Sequence, residues 1–167
     1  GMWVDPHARV ARAQPGLLWG EFDHETQTFG LATTGGIVTH TGIAGLTLGG
    51  GLGWLMRRHG LTADNLLSAD VVTADGTLVR ARAEENADLF WGLRGGGGNF
   101  GIVTSFEYRL HAVGPTVLAG LILYPAARAR EVLASYRDYI ASAPDDLMTI
   151  VVLRKAPPAP FLPESIH

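Results

Sequence analysis

The chain has 167 residues, with 13 Lys and Arg against 16 Asp and Glu, six histidines, no cysteine and 22 glycines. That length suits one domain, or one and part of another, and 47% hydrophobic against 17% charged residues is enough apolar material for a core and excludes a mainly disordered chain. A net charge of −3 with no basic run argues against a nucleic-acid groove, and the lack of cysteine excludes disulfides, thiolate catalysis and zinc knuckles.

No segment approaches the roughly 20 apolar residues of a membrane span, and no signal-peptide pattern opens the chain, so a soluble cytoplasmic protein is expected. Gly1 before Met2 reads as a tag remnant. Arg9 to Ala13 alternates as a short strand, and Leu17 to Gln27 carries helical spacing with separate apolar and acidic faces. Gly53 to His59 fits two helical turns closed by Gly60 as a left-handed cap, with Arg57, Arg58 and His59 suited to the negative helix end. Asp75-Gly76 between the apolar runs Ala69–Ala74 and Thr77–Arg82 predicts a hairpin with a two-residue turn. Asn86 or Asp88 can cap a short helix through Leu93 that Gly95–Gly98 ends, and Ile102 to Leu110 reads as a strand.

After Gly114-Pro115 the texture changes to a strand Val117–Tyr124, a helix Ala126–Ala143 and a strand Leu147–Arg154. The four prolines between Ala156 and Pro163 cannot sit inside a sheet. This order of elements predicts an α+β fold with largely antiparallel pairing.

Glycine is unevenly spread. Nine of the 22 lie between Gly30 and Gly53 and five between Gly95 and Gly101, and the 31 residues from Thr26 to Met56 contain no Asp, Glu, Lys or Arg. Such a stretch can present several backbone N–H groups to one anionic or flat ligand, with Thr33, Thr34, Thr39, Thr41 and Thr47 adding hydroxyls. It can equally be a set of tight turns and close backbone contacts. A phosphate loop ending in Gly-Lys-Ser/Thr is excluded, because no lysine precedes Lys155. Gly96-Gly97-Gly98-Asn99-Phe100-Gly101 has dinucleotide-like glycine spacing in the wrong setting, following a helix and opening a strand. The six histidines show no metal-ligand spacing, and no Gly-x-Ser-x-Gly elbow occurs.

Three ordered stretches carry more information: Gly30-Leu31-Ala32-Thr33-Thr34-Gly35-Gly36, then His40-Thr41-Gly42-Ile43-Ala44-Gly45-Leu46-Thr47-Leu48-Gly49-Gly50-Gly51-Leu52-Gly53-Trp54, then Gly60-Leu61-Thr62-Ala63-Asp64-Asn65. With Ala74-Asp75-Gly76 and the run from Asp88 to Thr104, they resemble the FAD-linked oxidases of the berberine-bridge-enzyme type over most of residues 3 to 113. The resemblance implies the second lobe of a FAD-binding domain, of mixed or antiparallel sheet with flanking helices, over residues 2–113. It implies the start of a substrate domain, a strand-helix-strand piece of an antiparallel sheet, over 114–167. FAD is the cofactor it implies, with a small molecule as substrate.

Gly35, Gly36, Val38, Thr39, Gly42, Ala44, Gly45, Gly49, Gly50 and Gly53 match the family segment that lines the isoalloxazine, ribityl chain and pyrophosphate. Asn99, Gly101, Ile102 and Val103 match the segment beside the adenine half, although Gly95–Gly98 can also serve only as a helix-to-strand turn and Ile102 and Val103 as strand core. Doubly linked members have a cysteine about where His40 stands; His40 can pack against the flavin or point to solvent. Phe90 and Trp91 are expected to anchor the packing of their helix, and Asp64 and Asn65 to form a turn with its own side-chain bonds.

The family's smaller first lobe, with the histidine that bonds covalently to flavin, and the segment carrying the catalytic base have no counterpart in this sequence. A fragment of an oxidase is therefore expected, with upstream and downstream DNA encoding the rest, and no catalytic residue is assigned. The oxidase would move hydride from a substrate C–H to flavin N5 and be reoxidised by oxygen. A non-catalytic remnant or interaction module is the alternative. An exposed cofactor-side face predicts self-association or aggregation, without nucleic-acid or membrane partners.

Overall fold

The computed structural model describes residues 1–154. It divides into two compact units, Gly1–Val117 and a second that begins at Leu118. In the first, a five-stranded sheet runs in the order β1 (Met2–Asp5), β2 (Val10–Ala13), β6 (Ile102–Arg109), β4 (Leu66–Val72), β5 (Leu78–Arg82), every neighbour antiparallel. A small second sheet pairs β3 (Leu31–Ala32) with β7 (His111–Ala112). Helices α1 (Trp19–Gln27), α2 (Ile43–Leu48), α3 (Met56–His59) and α4 (Ala87–Leu93) complete the unit. The α+β, antiparallel reading thus holds.

The central strand β6 is buried at Val103, Phe106 and Tyr108, an alternation broken by one place. The break is a register shift opposite Asp70/Val71: Ser105 pairs with Asp70 and Val103 with Val71, leaving Thr104 as the extra residue that turns Val103 inward. On this inner face Trp19, Phe22 and Tyr108 meet edge-on, with centroids 5.2, 5.3 and 5.9 Å apart. Helix α1 starts where expected within two residues, and Glu21 accepts a hydrogen bond from the Leu18 N–H at 2.8 Å, which satisfies one free donor at its start.

The outer face is polar. Arg12 bonds Ser105 at 2.8 Å and pairs with Asp70, while Arg80 pairs with Glu107 at 2.6 Å, whose carboxylate also accepts the Ser68 hydroxyl at 2.6 Å.

Several local expectations change. The hairpin forms, but its strands end at Val72 and resume at Leu78. Asp75 accepts from the Thr73 hydroxyl at 2.5 Å and the Thr77 N–H at 3.2 Å, and the Thr73 N–H closes on the Thr77 carbonyl at 3.0 Å. Three residues therefore lie in the loop, where two were expected, with Gly76 at φ 82°. Gly60 has positive φ (76°) but extended ψ (−174°), so it turns the chain away from α3 without forming a left-handed cap. Asn86 precedes α4 in the left-handed region and donates to the Arg80 carbonyl at 2.7 Å, leaving the helix without a side-chain cap. Phe90 is buried as expected; Trp91 is 80% exposed, because one step of about 100° around a helix carries it off the face that Phe90 and Leu93 bury.

In the second unit the expected helix appears as a 3-10 turn over Ala126–Arg128 followed by α5 (Ala129–Ile140). The expected strands Val117–Tyr124 and Leu147–Arg154 are absent from the described residues. A strand exists only as a member of a ladder, and among the described residues of this unit the regular structure is helical, which offers no ladder. Leu118, Ile122, Val152 and Leu153 stay exposed. The proline-rich stretch from Ala156 lies outside the described residues.

Candidate functional site

Glycine-rich residues that looked like one feature separate into two groups. At Gly35 a Cβ would stand 2.7 Å from Trp19 Cε3; at Gly36, 2.8 Å from Leu46 Cδ1; at Gly101, 2.5 Å from the Val72 carbonyl oxygen. At Gly53 it would overlap the Gly35 carbonyl oxygen, and at Gly51 the Thr62 side chain. These glycines serve close packing. Gly42 and Gly45 differ: nothing lies within 4 Å of an added Cβ, neither has positive φ, and both are exposed.

Gly42 is the N-cap of α2, Gly45 lies inside it and Gly49 is its C-cap, also exposed. Steps of three and four residues put them on one helix face. The opposite face buries Ile43, Thr47 and Leu48, and the Thr47 hydroxyl shares a 2.8 Å hydrogen bond with Tyr108, whose phenol burial pushes well above its ordinary range. Helix α2 is therefore anchored to the sheet by its apolar side and presents bare backbone on the other. No helix was expected here, because glycine content hid the spacing of Ile43, Thr47 and Leu48.

The wall continues on both sides. Val38, Thr39 and His40 are exposed in the loop before α2, a loop pinned to α1 by the Gly20 N–H on the Thr39 carbonyl (2.8 Å) and the Trp19 N–H on the Thr41 carbonyl (2.9 Å). Gly50, at φ 103°, follows α2 and is buried behind the wall, its carbonyl accepting from the Ala63 N–H at 2.9 Å. Ile37, Val38, Leu52 and Trp54 keep large apolar surfaces in solvent, between 44% and 62% exposed. Ala44 is half-buried.

The second glycine cluster meets the first. The Gly95 N–H donates to the Leu48 carbonyl at 3.1 Å, at the C-terminal end of α2. Beyond it, Gly97–Phe100 make a 3-10 turn in which the Asn99 amide is spent on the Gly96 carbonyl at 3.0 Å. Val103 is core, with 5% exposure, and only its backbone is available; Ile102 is 73% exposed.

Two expectations about side-chain donors fail. The Thr47 hydroxyl faces Tyr108 and the Thr34 hydroxyl donates to the Gly60 carbonyl at 2.9 Å, so neither points at a ligand. Three residues went unnoticed as a group: Thr34, Asn65 and His111. Asn65 is 2% exposed, donates to the carbonyls of His59 (3.0 Å) and Leu61 (2.8 Å), and accepts from His111 Nε2 at 2.6 Å. The His111 ring stacks on His59 with centroids 3.7 Å apart. Burial first, then His59, Arg109, Arg58 and Arg9, lower the His111 pKa to about 4, so at neutral pH the ring is uncharged. A turn at Asp64-Asn65 with its own side-chain bonds was legible; the burial of Asn65 and its partner 46 residues away were not.

Chemically, the site is an exposed face of glycine backbone bordered by apolar side chains, Thr39 and His40. It suits a planar ligand held by amide groups and contact area. The bare face at Gly42 and Gly45 leaves room for a planar ring system to lie against the helix backbone, room that a Cβ at either position would reduce. Among the described residues, no group of His, Asp or Glu could hold a metal ion and no helix is long and apolar enough to cross a membrane.

Residues 1–82 match the family model described as FAD binding domain. The chain is 50% identical over 122 residues to FAD-linked oxidoreductase pgmH of Aspergillus terreus, covering 73% of this chain and 25% of that protein. It is 39% identical over 121 residues to (R)-6-hydroxynicotine oxidase of Paenarthrobacter nicotinovorans, covering 72% and 26%. The crystal structure of 6-hydroxy-D-nicotine oxidase from Arthrobacter nicotinovorans superposes with a TM-score of 0.78 at 36% identity, over 84% of this chain and 31% of that one. The chain thus spans about a quarter to a third of the length of these relatives. With an open glycine face on an antiparallel α+β lobe and these matches along it, the chain belongs to the FAD-linked oxidoreductases of the berberine-bridge-enzyme-like type, whose cofactor is FAD.

Proposed function

We propose that this chain supplies one wall of the FAD site of an oxidase, with residues 2–113 as the second lobe of the FAD-binding domain and 114–167 as the start of the substrate domain. The single observation that carries the reading is the face of α2 at Gly42 and Gly45, where the backbone is bare, exposed and under no packing constraint. Gly in a helix interior costs roughly 0.5–1 kcal/mol relative to Ala, so its presence at Gly45 calls for something outside the fold that needs the space.

FAD, when bound, supplies the redox chemistry, accepting hydride from a substrate C–H at N5 and being reoxidised by oxygen. The chain's own part is to bind and orient. Gly42, Gly45 and Gly49 would let the ring system approach the helix backbone; Val38, Thr39 and His40 would border it, with the buried Gly50 turning the chain behind. Gly35, Gly36 and Gly53 hold that border in place by packing, and Ala44 backs it. Asn99, Gly101, Ile102 and Val103 would lie toward the adenine half, contributing backbone and the exposed Ile102 side chain. No residue here is assigned as catalytic base, and the substrate is a small molecule of undefined class.

Equilibrium dialysis of the chain against FAD tests the reading. A single saturable site with weak, exchangeable binding is expected, because one wall encloses less of the ligand than a closed cleft; no binding at millimolar FAD would defeat it. The exposed Ile37, Val38, Leu52 and Trp54 also support self-association of the free chain, read by light scattering. A stable mass of one chain at high concentration would count against that part.

A further inference from the structure

We propose that His111 is a positioning residue for the FAD wall, acting through Asn65; the proposal rests on the reading above. Asn65 sits where the two halves of that wall meet. Its amide nitrogen faces two backbone carbonyls, those of His59 and Leu61, and lies 3.4 Å from the Thr34 hydroxyl oxygen. Carbonyl oxygens only accept, so the side chain cannot be flipped, and its oxygen must face His111. His111 must in turn carry its proton on Nε2 to donate across the 2.6 Å contact.

Each of those bonds reaches a part of the wall. Thr34 directly precedes Gly35 and Gly36, and its hydroxyl is tied to the Gly60 carbonyl. The turn after Leu61 holds the other half, with the Thr62 and Ala63 N–H groups on the Gly51 and Gly50 carbonyls at 3.0 and 2.9 Å. His111 also pairs with Ala32 in the small sheet, two residues before Thr34. The backbone of His111 is therefore tied to the Gly35–Gly36 side through the β3–β7 ladder, and its neutral imidazole reaches both sides through Asn65. Without its donor the Asn65 oxygen is a buried acceptor with no partner, a cost relieved only by moving Asn65 off the carbonyls it holds.

The test compares His111→Phe, which keeps a ring against His59 but has no donor, with His111→Gln, which keeps a donor. Hydrogen exchange is read over residues 33–38 and 49–55 and, as reference, over β5, with FAD dissociation constants by dialysis. His111→Phe is expected to exchange at least tenfold faster in both wall segments with β5 unchanged, and to bind FAD about tenfold more weakly; His111→Gln is expected to restore both. Unchanged wall exchange in His111→Phe overturns the proposal. So does a rise as large in β5, which marks a general stability loss, and so does failure of His111→Gln to rescue. If the wild-type chain binds no FAD, the site reading fails while the exchange pattern still decides this one. Should His111→Phe not fold, the nitrogen-15 spectrum of wild-type His111 at neutral pH decides: the Nε2–H tautomer supports the proposal and the Nδ1–H tautomer overturns it.

Discussion

Replacing Gly45 with alanine separates what the fold needs from what a ligand needs. The residue lies inside α2, is exposed, has ordinary φ, and an added methyl would meet no atom within 4 Å. Helix propensity alone then stabilises the variant by about 0.5–1 kcal/mol, which for a unit of this size raises the melting temperature by about 2–6 °C. On the cofactor side the same methyl occupies the contact plane. Forcing a methyl into a close-packed contact costs about 1–3 kcal/mol, so the FAD dissociation constant is expected to rise by about 5-fold to 150-fold. Differential scanning fluorimetry and dialysis against FAD measure the two changes on one sample. A variant that is more stable and binds FAD as tightly as wild type would refute the assignment of this face to the cofactor.

Gly53→Ala has the opposite character: its Cβ would overlap the Gly35 carbonyl oxygen, so a loss of more than about 3 kcal/mol is expected, seen as a collapse of the urea midpoint. Tyr108→Phe leaves the buried Thr47 hydroxyl without its 2.8 Å partner and should cost about 1–3 kcal/mol; adding Thr47→Val should recover part of it, and strict additivity in the cycle would argue against that bond. The contribution of His111 to stability should also fall as pH drops from about 6.5 to about 4. In that window the unfolded chain binds a proton at His111 that the folded chain, with its pKa lowered to about 4, refuses; above 6.5 the effect is absent. The difference in denaturation midpoint between wild type and His111→Gln reads this together with its coupling to the stacked His59, because titrating groups remote from the pair cancel; a pH-independent difference would contradict the assignment.

Local chemistry was legible in the sequence wherever a signal and its consequence lie within a few residues. The helix Trp19–Gln27, the hairpin around Gly76, the helix ended by Gly95 and the strand from Ile102 each follow from periodicity and punctuation. So did the family, because the glycine runs are ordered and closely spaced along the chain. Tertiary structure alone decided which glycines serve packing and which face outward: Gly35 and Gly45 are the same residue type in the same uncharged stretch, and only the nearness of Trp19 to one of them tells them apart. It also decided the fates of Val117–Tyr124 and Leu147–Arg154, whose apolar runs have strand character but no ladder neighbour among the described residues. The Asn65–His111 contact belongs to the same class. A hydrogen bond between residues 46 positions apart leaves no periodicity in a sequence, since it is created by the sheet that brings β7 beside β3 and not by any preference of the residues themselves.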